Sequence, residues 1–193
     1  MIRPLYNWTM SLAAHTNARW ALALISFMES SFFPIPPDVL LIPMVIEKRE
    51  NAWHYALLCT VASVVGAFLG YVIGMFFFEV VGRPLIEFYG KVEEFEHLRE
   101  VFADNGWWIV FTAGLTPFPF KIITIASGLF ALNPLLFMVG CVIGRGMRFY
   151  AVAALLWKFG KPIRGFIDKH LGWLTILFCI LLLGGYFVVK FVL

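Results

Sequence analysis

The sequence predicts an all-α, polytopic membrane protein, with two re-entrant helical hairpins in inverted repeat, about three transmembrane helices and interfacial amphipathic helices. Three observations carry this. Of the 193 residues, 61% are apolar and only 14% are charged, against about 25% charged in an ordinary soluble domain. The apolar residues gather in five long blocks rather than spreading at helix or strand period. Two of those blocks are interrupted at their centres by proline clusters, which forbid a continuous helix.

Residues 1–17 carry Arg3, but Asn7, Thr9, Ser11, His15 and Thr16 interrupt the apolar run, so the segment lacks a signal peptide's core. Leu5, Trp8 and Leu12 at helical spacing predict a short interfacial helix. A membrane domain follows over 18–170. Its first block, 20–46, is broken by Pro34, Pro36 and Pro37 between Glu29 and Asp38, and the pieces on either side are too short to span. Polar, non-helical backbone at membrane depth survives only when buried in protein or lining a wet cavity, so this block predicts a re-entrant hairpin.

The block 53–78 bears no charge except His54 at its edge and predicts a simple span. The acidic stretch 82–106 is expected on the outer surface, with Val92, Phe95, Leu98 and Phe102 on one face of an amphipathic helix that Asn105-Gly106 terminates. Residues 107–132 repeat the hairpin design around Pro117 and Pro119. The span 135–157 contains Arg145 and Arg148, a basic loop occupies 158–170, and 171–193 predicts a C-terminal transmembrane helix.

Each hairpin is followed by glycine-spaced helix: Gly66, Gly70 and Gly74 in one, Gly140 and Gly144 in the other. Small residues four apart let helices approach closely, and they allow a homo-oligomer without requiring one. One full span lies between the hairpins, so they should enter from opposite faces, as in inverted-repeat transporters. On that topology Arg3, Arg19, Lys48, Arg49, Lys158, Lys161, Arg164 and Lys169 share the N-terminal side, against Arg83, Lys91, Arg99 and Lys190 opposite. That bias predicts a cytoplasmic N-terminus and an outer C-terminus.

Several function classes are set aside. The net charge of +3 is small and the basic residues are scattered, so no nucleic-acid partner is expected. Cys59, Cys141 and Cys179 stand alone, without metal-ligand spacing, and no metal or organic cofactor is expected. None of the familiar hydrolase, metalloprotease or nucleotide-binding motifs is present, so an enzyme is not expected.

Five ionisable side chains fall at membrane depth: Glu29, Asp38, Lys121, Arg145 and Arg148. Each costs roughly 2.5 to 3.5 kcal/mol at a helix centre, so they should meet one another. Arg145 and Arg148, three apart, share a helix face and keep their charge. With Lys121 they suit an anionic headgroup, above all a phosphate, which guanidinium binds in a bidentate way. Carboxylates can take up a proton, which makes Glu29 and Asp38 the candidates for proton coupling. The plainer reading makes the same charges permanent ion pairs that staple the two repeats together.

In Glu29 with Phe33-Pro34-Ile35-Pro36-Pro37-Asp38, in Thr116-Pro117-Phe118-Pro119-Phe120-Lys121 closing in Ala126-Ser127-Gly128, and in Gly144-Arg145-Gly146-Met147-Arg148-Phe149, the sequence resembles the DedA family. This is the SNARE-associated or VTT-domain superfamily, and the likeness is strongest to its YqaA-like branch. The resemblance implies a bacterial inner-membrane protein with two opposed re-entrant hairpins that moves phospholipids or polyprenyl phosphates, depends on the proton motive force and serves membrane homeostasis. The acidic residues of the family's first hairpin fall on Glu29 and Asp38. The second hairpin departs from the pattern, with Gly114 and Lys121 where arginines are usual, and Arg145 and Arg148 stand ready to supply that charge. The competing expectations are a proton-coupled small-cation antiporter and a non-transporting membrane organiser.

Overall fold

The computed structural model describes residues 18–31, 36–78, 80, 92–116 and 119–160, which are largely helical, with no strand among them. Helix α1 covers Ala18–Ser31, α2 Asp38–Glu47, α3 Ala52–Phe77, α4 Val92–Leu115 and α5 Phe120–Leu129, with a 3-10 turn at Arg49–Asn51 before α3. Helix α6 covers Pro134–Gly160. The N-terminal interfacial segment, most of the basic loop, the C-terminal helix, Pro34 and Pro117 lie outside the described residues.

Two helical stretches, Arg49–Phe77 of 29 residues and Pro134–Gly160 of 27, are long and apolar enough to cross a membrane. At about 1.5 Å per residue each exceeds the roughly 30 Å hydrocarbon core, whereas α1, α2 and α5 fall short of it. The distribution of polarity is that of a bilayer protein. Leu57, Val61, Val65 and Phe68 of α3 and Leu135, Val139 and Val142 of α6 are exposed, while Ser26, Ser30, Ser31, Ser63, Thr124, Ser127 and Arg145 are buried.

Hydroxyl contacts fix the register of α1 on α3. Ser26 donates to the Cys59 carbonyl at 2.8 Å, Ser30 and Ser63 share a hydrogen bond at 2.6 Å, and Ser31 donates to the Gly66 carbonyl at 2.9 Å. The two helices therefore run in the same direction, and α1 stops beside the middle of α3. Helix α2 turns back, and its Leu40, Leu41, Met44 and Val45 join Ala52, Tyr55 and Cys59 of α3 and Phe149, Ala153 and Leu156 of α6 in one core. Pro37 precedes α2 with φ −65°, a value its ring sets in advance for the first helical turn.

The other half is built alike. Helix α4 follows α6, with Val110 against Gly140 and Phe111 against Gly144, and Gly114 ends beside Arg145. Helix α5 lies on α3 from Gly70, at Thr124, to Tyr71 and Met75, at Gly128. A second core gathers Val64, Ala67, Tyr71, Val110, Phe120, Phe137 and Cys141. Helices α3 and α6 cross antiparallel, since Trp53 lies 6.0 Å from Tyr150 while Tyr71 lies 5.1 Å from Phe137. The molecule thus has an apolar core at each end and a polar layer between.

Glycines set the close approaches. A Cβ at Gly66 would strike the Phe27 carbonyl, one at Gly74 the Ile125 carbonyl, and one at Gly70 would meet both the Thr124 hydroxyl and the Ser30 carbonyl. Gly70 is therefore where the α1/α2 and α4/α5 pairs come together on α3. In α6, a Cβ at Gly144 would lie 2.7 Å from the Phe111 carbonyl, and one at Gly140 would lie 3.1 Å from the Val110 side chain.

One expectation is corrected. The helix expected to end at Asn105-Gly106 continues unbroken to Leu115. Gly106 serves close packing instead, because the Leu132 side chain occupies the space its Cβ would need. Phe95 and Phe102 do form an apolar face, which packs on Phe130 with ring centroids 5.2 and 4.7 Å apart. The turn from α5 to α6 closes through Ala131 N–H to Gly128 carbonyl (3.1 Å) and Leu132 N–H to Ser127 carbonyl (2.9 Å), with Ala131 at φ 54°. Asn133 then accepts from the Leu135 and Leu136 amides, capping a helix whose first residue is Pro134.

Candidate functional site

The polar layer is assembled from both helix pairs and both long helices. Helix α1 is amphipathic in the inverse sense: its Ser26, Ser30 and Ser31 face α3, and Glu29 lies at the edge of that face. Asp38 opens α2, where a carboxylate sits well against the helix dipole. Arg145 and Arg148 project from the middle of α6, as their spacing requires.

Arg145 is fully buried and pairs with Glu29. Its Nε donates to Ser63 at 2.8 Å and its Nη2 to Ser30 at 2.9 Å, while Ser30 also donates to Glu29 at 3.2 Å. The guanidinium carbon lies 4.4 Å from the centre of the Phe120 ring and 5.4 Å from that of Phe149, a cation–π setting on two sides. Removing one member of such a buried pair costs about 3–5 kcal/mol, because the other charge is left uncompensated.

Arg148 makes a second, more open pair. Its Nη2 lies 2.5 Å from Asp38 Oδ2, and its Nη1 donates to the Thr116 carbonyl at 3.3 Å. The side chains of this pair are 16% and 20% exposed. Two polar atoms in the layer, Arg145 Nη1 and Asp38 Oδ1, are buried without a hydrogen-bond partner among the described residues.

Four of the five intramembrane charges thus meet as two pairs. The fifth, Lys121, is in the first turn of α5, partly buried, and has no carboxylate partner among the described residues. Its carbonyl accepts from Thr124 at 2.9 Å, and the same hydroxyl donates to the Ser30 carbonyl at 3.0 Å, joining α5 to α1. Pro36, Pro37 and Pro119 flank the starts of α2 and α5: the Pro37 carbonyl accepts from Leu41, and that of Pro119 from Ile122. Among the described residues no group of His, Cys, Asp or Glu is arranged to hold a metal.

Sequence reasoning missed the hydroxyls. Ser26 and Ser30 lie one turn apart in an apolar block, and Ser63 precedes the glycine stripe of α3 on its packed face. That spacing was the available signal.

The family model of the VTT domain matches residues 35–158. The chain belongs to the VTT-domain, or DedA, family. Its VTT region contains Asp38, Ser63, Lys121, Arg145 and Arg148, and Glu29 stands just before it. An uncharacterized protein of Haemophilus influenzae is 33% identical over 190 residues, covering 96% of each chain. A protein of Histophilus somni, described as an uncharacterized HI0703 homolog, is 37% identical over 180 residues, covering 91% of this chain and 93% of its own. No solved structure matches. As a VTT-domain protein the chain is a membrane protein, in keeping with its two long apolar helices.

Proposed function

We propose that this VTT-domain protein moves an anionic lipid, a phospholipid or a polyprenyl phosphate, across the bacterial inner membrane with the help of the proton motive force. The observation that carries the proposal is the charge balance of the polar layer. Lys121, Arg145 and Arg148 are three cations against two carboxylates, Glu29 and Asp38, and both carboxylates are engaged by arginines. One positive charge is left over at membrane depth, and an anionic headgroup offsets it. Arg145 Nη1, without a partner among the described residues, offers it a further donor.

In this reading α1 and α2 form one re-entrant hairpin, α4 and α5 the other, and each enters from its own face as half of an inverted repeat. The headgroup enters between them while the acyl or prenyl tail stays in the bilayer. Protonation of Glu29 or Asp38 weakens its hold on an arginine and times release. The small-cation antiporter is disfavoured, because an excess of fixed positive charge repels its substrate.

The test is reconstitution in liposomes that hold a fluorescent phospholipid or, separately, a short-chain polyprenyl phosphate. Inner-leaflet accessibility is followed with and without an imposed pH gradient. Gradient-dependent movement, lost in Asp38→Asn and in Arg148→Ala, is the expected result. No movement of either lipid by folded protein overturns the proposal.

One observation favours a second reading, the non-transporting organiser: both carboxylates already have arginine partners. On that reading Asp38→Asn lowers thermal stability in detergent and changes no flux.

A further inference from the structure

Arg148 is bonded to both helix pairs at once. From α6 it holds Asp38, at the start of α2, through Nη2, and the Thr116 carbonyl, at the end of α4, through Nη1. A direct polar tie between the pairs among the described residues is Thr124 to the Ser30 carbonyl, buried on Gly70. The two ties differ in how firmly they are built. Thr124 lies in the layer with Arg145, whose Nε and Nη2 are taken by Ser63, Ser30 and Glu29 and whose guanidinium lies between two rings. Arg148 is held by one oxygen of Asp38, whose other oxygen has no partner among the described residues, and its guanidinium carbon lies 6.0 Å from the centre of the Phe149 ring.

We propose that Arg148 is a clasp between the tips of the two helix pairs, and that it opens by exchanging Asp38 for an anionic headgroup while the Glu29–Arg145 pair stays closed. The exchange rests on the transport reading above; the clasp does not. A phosphate competes well for a guanidinium held by a single carboxylate oxygen, because it offers two acceptors in the geometry the fork prefers. Arg145 is a poor target for the same exchange, since Nε and Nη2 are already taken and, among the described residues, Nη1 is its one nitrogen without a partner. With the clasp open, the tips separate about the remaining tie at Gly70. The two arginines then divide the labour: Arg145 holds the pairs to α3 and Arg148 admits the headgroup.

The test places spin labels at Val39 and Leu115, which are 41% and 40% exposed and adjoin Asp38 and Thr116. The background has Cys59, Cys141 and Cys179 replaced by alanine, and distances are read by pulsed EPR in phosphatidylcholine nanodiscs. The parent should give one short distance. Asp38→Asn and Arg148→Gln should each raise a longer-distance population up to roughly fivefold, the factor to which about 1 kcal/mol of lost pairing corresponds. Ser63→Ala should leave the short distance in place, and the reversed pair Asp38→Arg with Arg148→Asp should restore it. An unchanged distance in both single variants overturns the clasp, as does equal opening in Ser63→Ala. Adding phosphatidic acid to the parent's nanodiscs should populate the longer distance. If the variants open and phosphatidic acid does not, the exchange is overturned and the clasp stands; the liposome flux assay reads the transport proposal separately.

Discussion

A permanent charge with no exposure, as at Arg145, is stable only through its partners, and each partner's removal should register in proportion to its burial. Glu29→Gln leaves the guanidinium without its counter-charge and is expected to cost about 3–5 kcal/mol. Ser63→Ala removes the acceptor of Nε and the partner of Ser30, for roughly 1–3 kcal/mol. Asp38→Asn weakens a partly exposed pair and should cost about 1 kcal/mol or less. Thermal unfolding in detergent should rank the three in that order, and Asp38→Asn as the most damaging would contradict the geometry. The charges were legible in the sequence because an isolated ionisable residue in an apolar block must find a partner. Which carboxylate meets which arginine was not, since either pairing satisfies the same charge count. The serines were hidden for another reason. A hydroxyl in a membrane helix can bond its own preceding turn, as Thr60 does to Ala56 and Ser127 to Ile123, both at 2.7 Å. Only tertiary contact distinguishes those from Ser26, Ser30 and Ser63.

At the scale of elements, the short helices are placed by contacts that tolerate no added atom. Gly66→Ala drives a methyl into the backbone of α1 at Phe27, a neighbour that cannot give way as a flexible side chain would. It should shift α1 and cost about 1–3 kcal/mol by overpacking. Gly146→Ala is the control, because its Cβ meets only a Thr60 methyl at an ordinary 3.7 Å. That variant should be neutral or gain up to about 1 kcal/mol from helix propensity. Ala131 holds the left-handed conformation at the end of α5, where an L side chain costs roughly 1–2 kcal/mol, so Ala131→Gly should stabilise the protein by about 1 kcal/mol. All three are read as midpoint shifts in the same detergent assay. The breaks at the proline clusters and the shortness of α1, α2 and α5 were plain in the sequence, because a missing amide donor is a local fact. The run of α4 through Asn105-Gly106 was not. Whether glycine ends a helix or admits a neighbour depends here on Leu132, which is distant in the chain.

For the whole molecule, α1 follows α3, α4 follows α6, and α3 and α6 are antiparallel, so α1 and α4 run in opposite directions. The ends differ in charge. Arg19, Lys48, Arg49 and Lys158 gather where α1 and α3 begin and α6 finishes, beside Trp53 and Trp157. At the other end α4 brings Glu93, Glu96, Glu100 and Asp104, and Arg99 there is paired with Glu96 at 3.7 Å. Short basic segments stay cytoplasmic, so the first end is expected in the cytoplasm. The check is a pair of single-cysteine variants in the cysteine-free background, at Glu47 beside the basic end and at Ala131 beside the acidic end, both exposed. An impermeant maleimide should label Ala131→Cys on intact cells and Glu47→Cys only after permeabilisation. The reverse pattern would invert the protein in the membrane and, with it, the direction in which a given proton gradient drives a headgroup. Equal labelling of both sites on intact cells would place both ends on one side, and then neither helix pair could serve as the gate for an opposite leaflet.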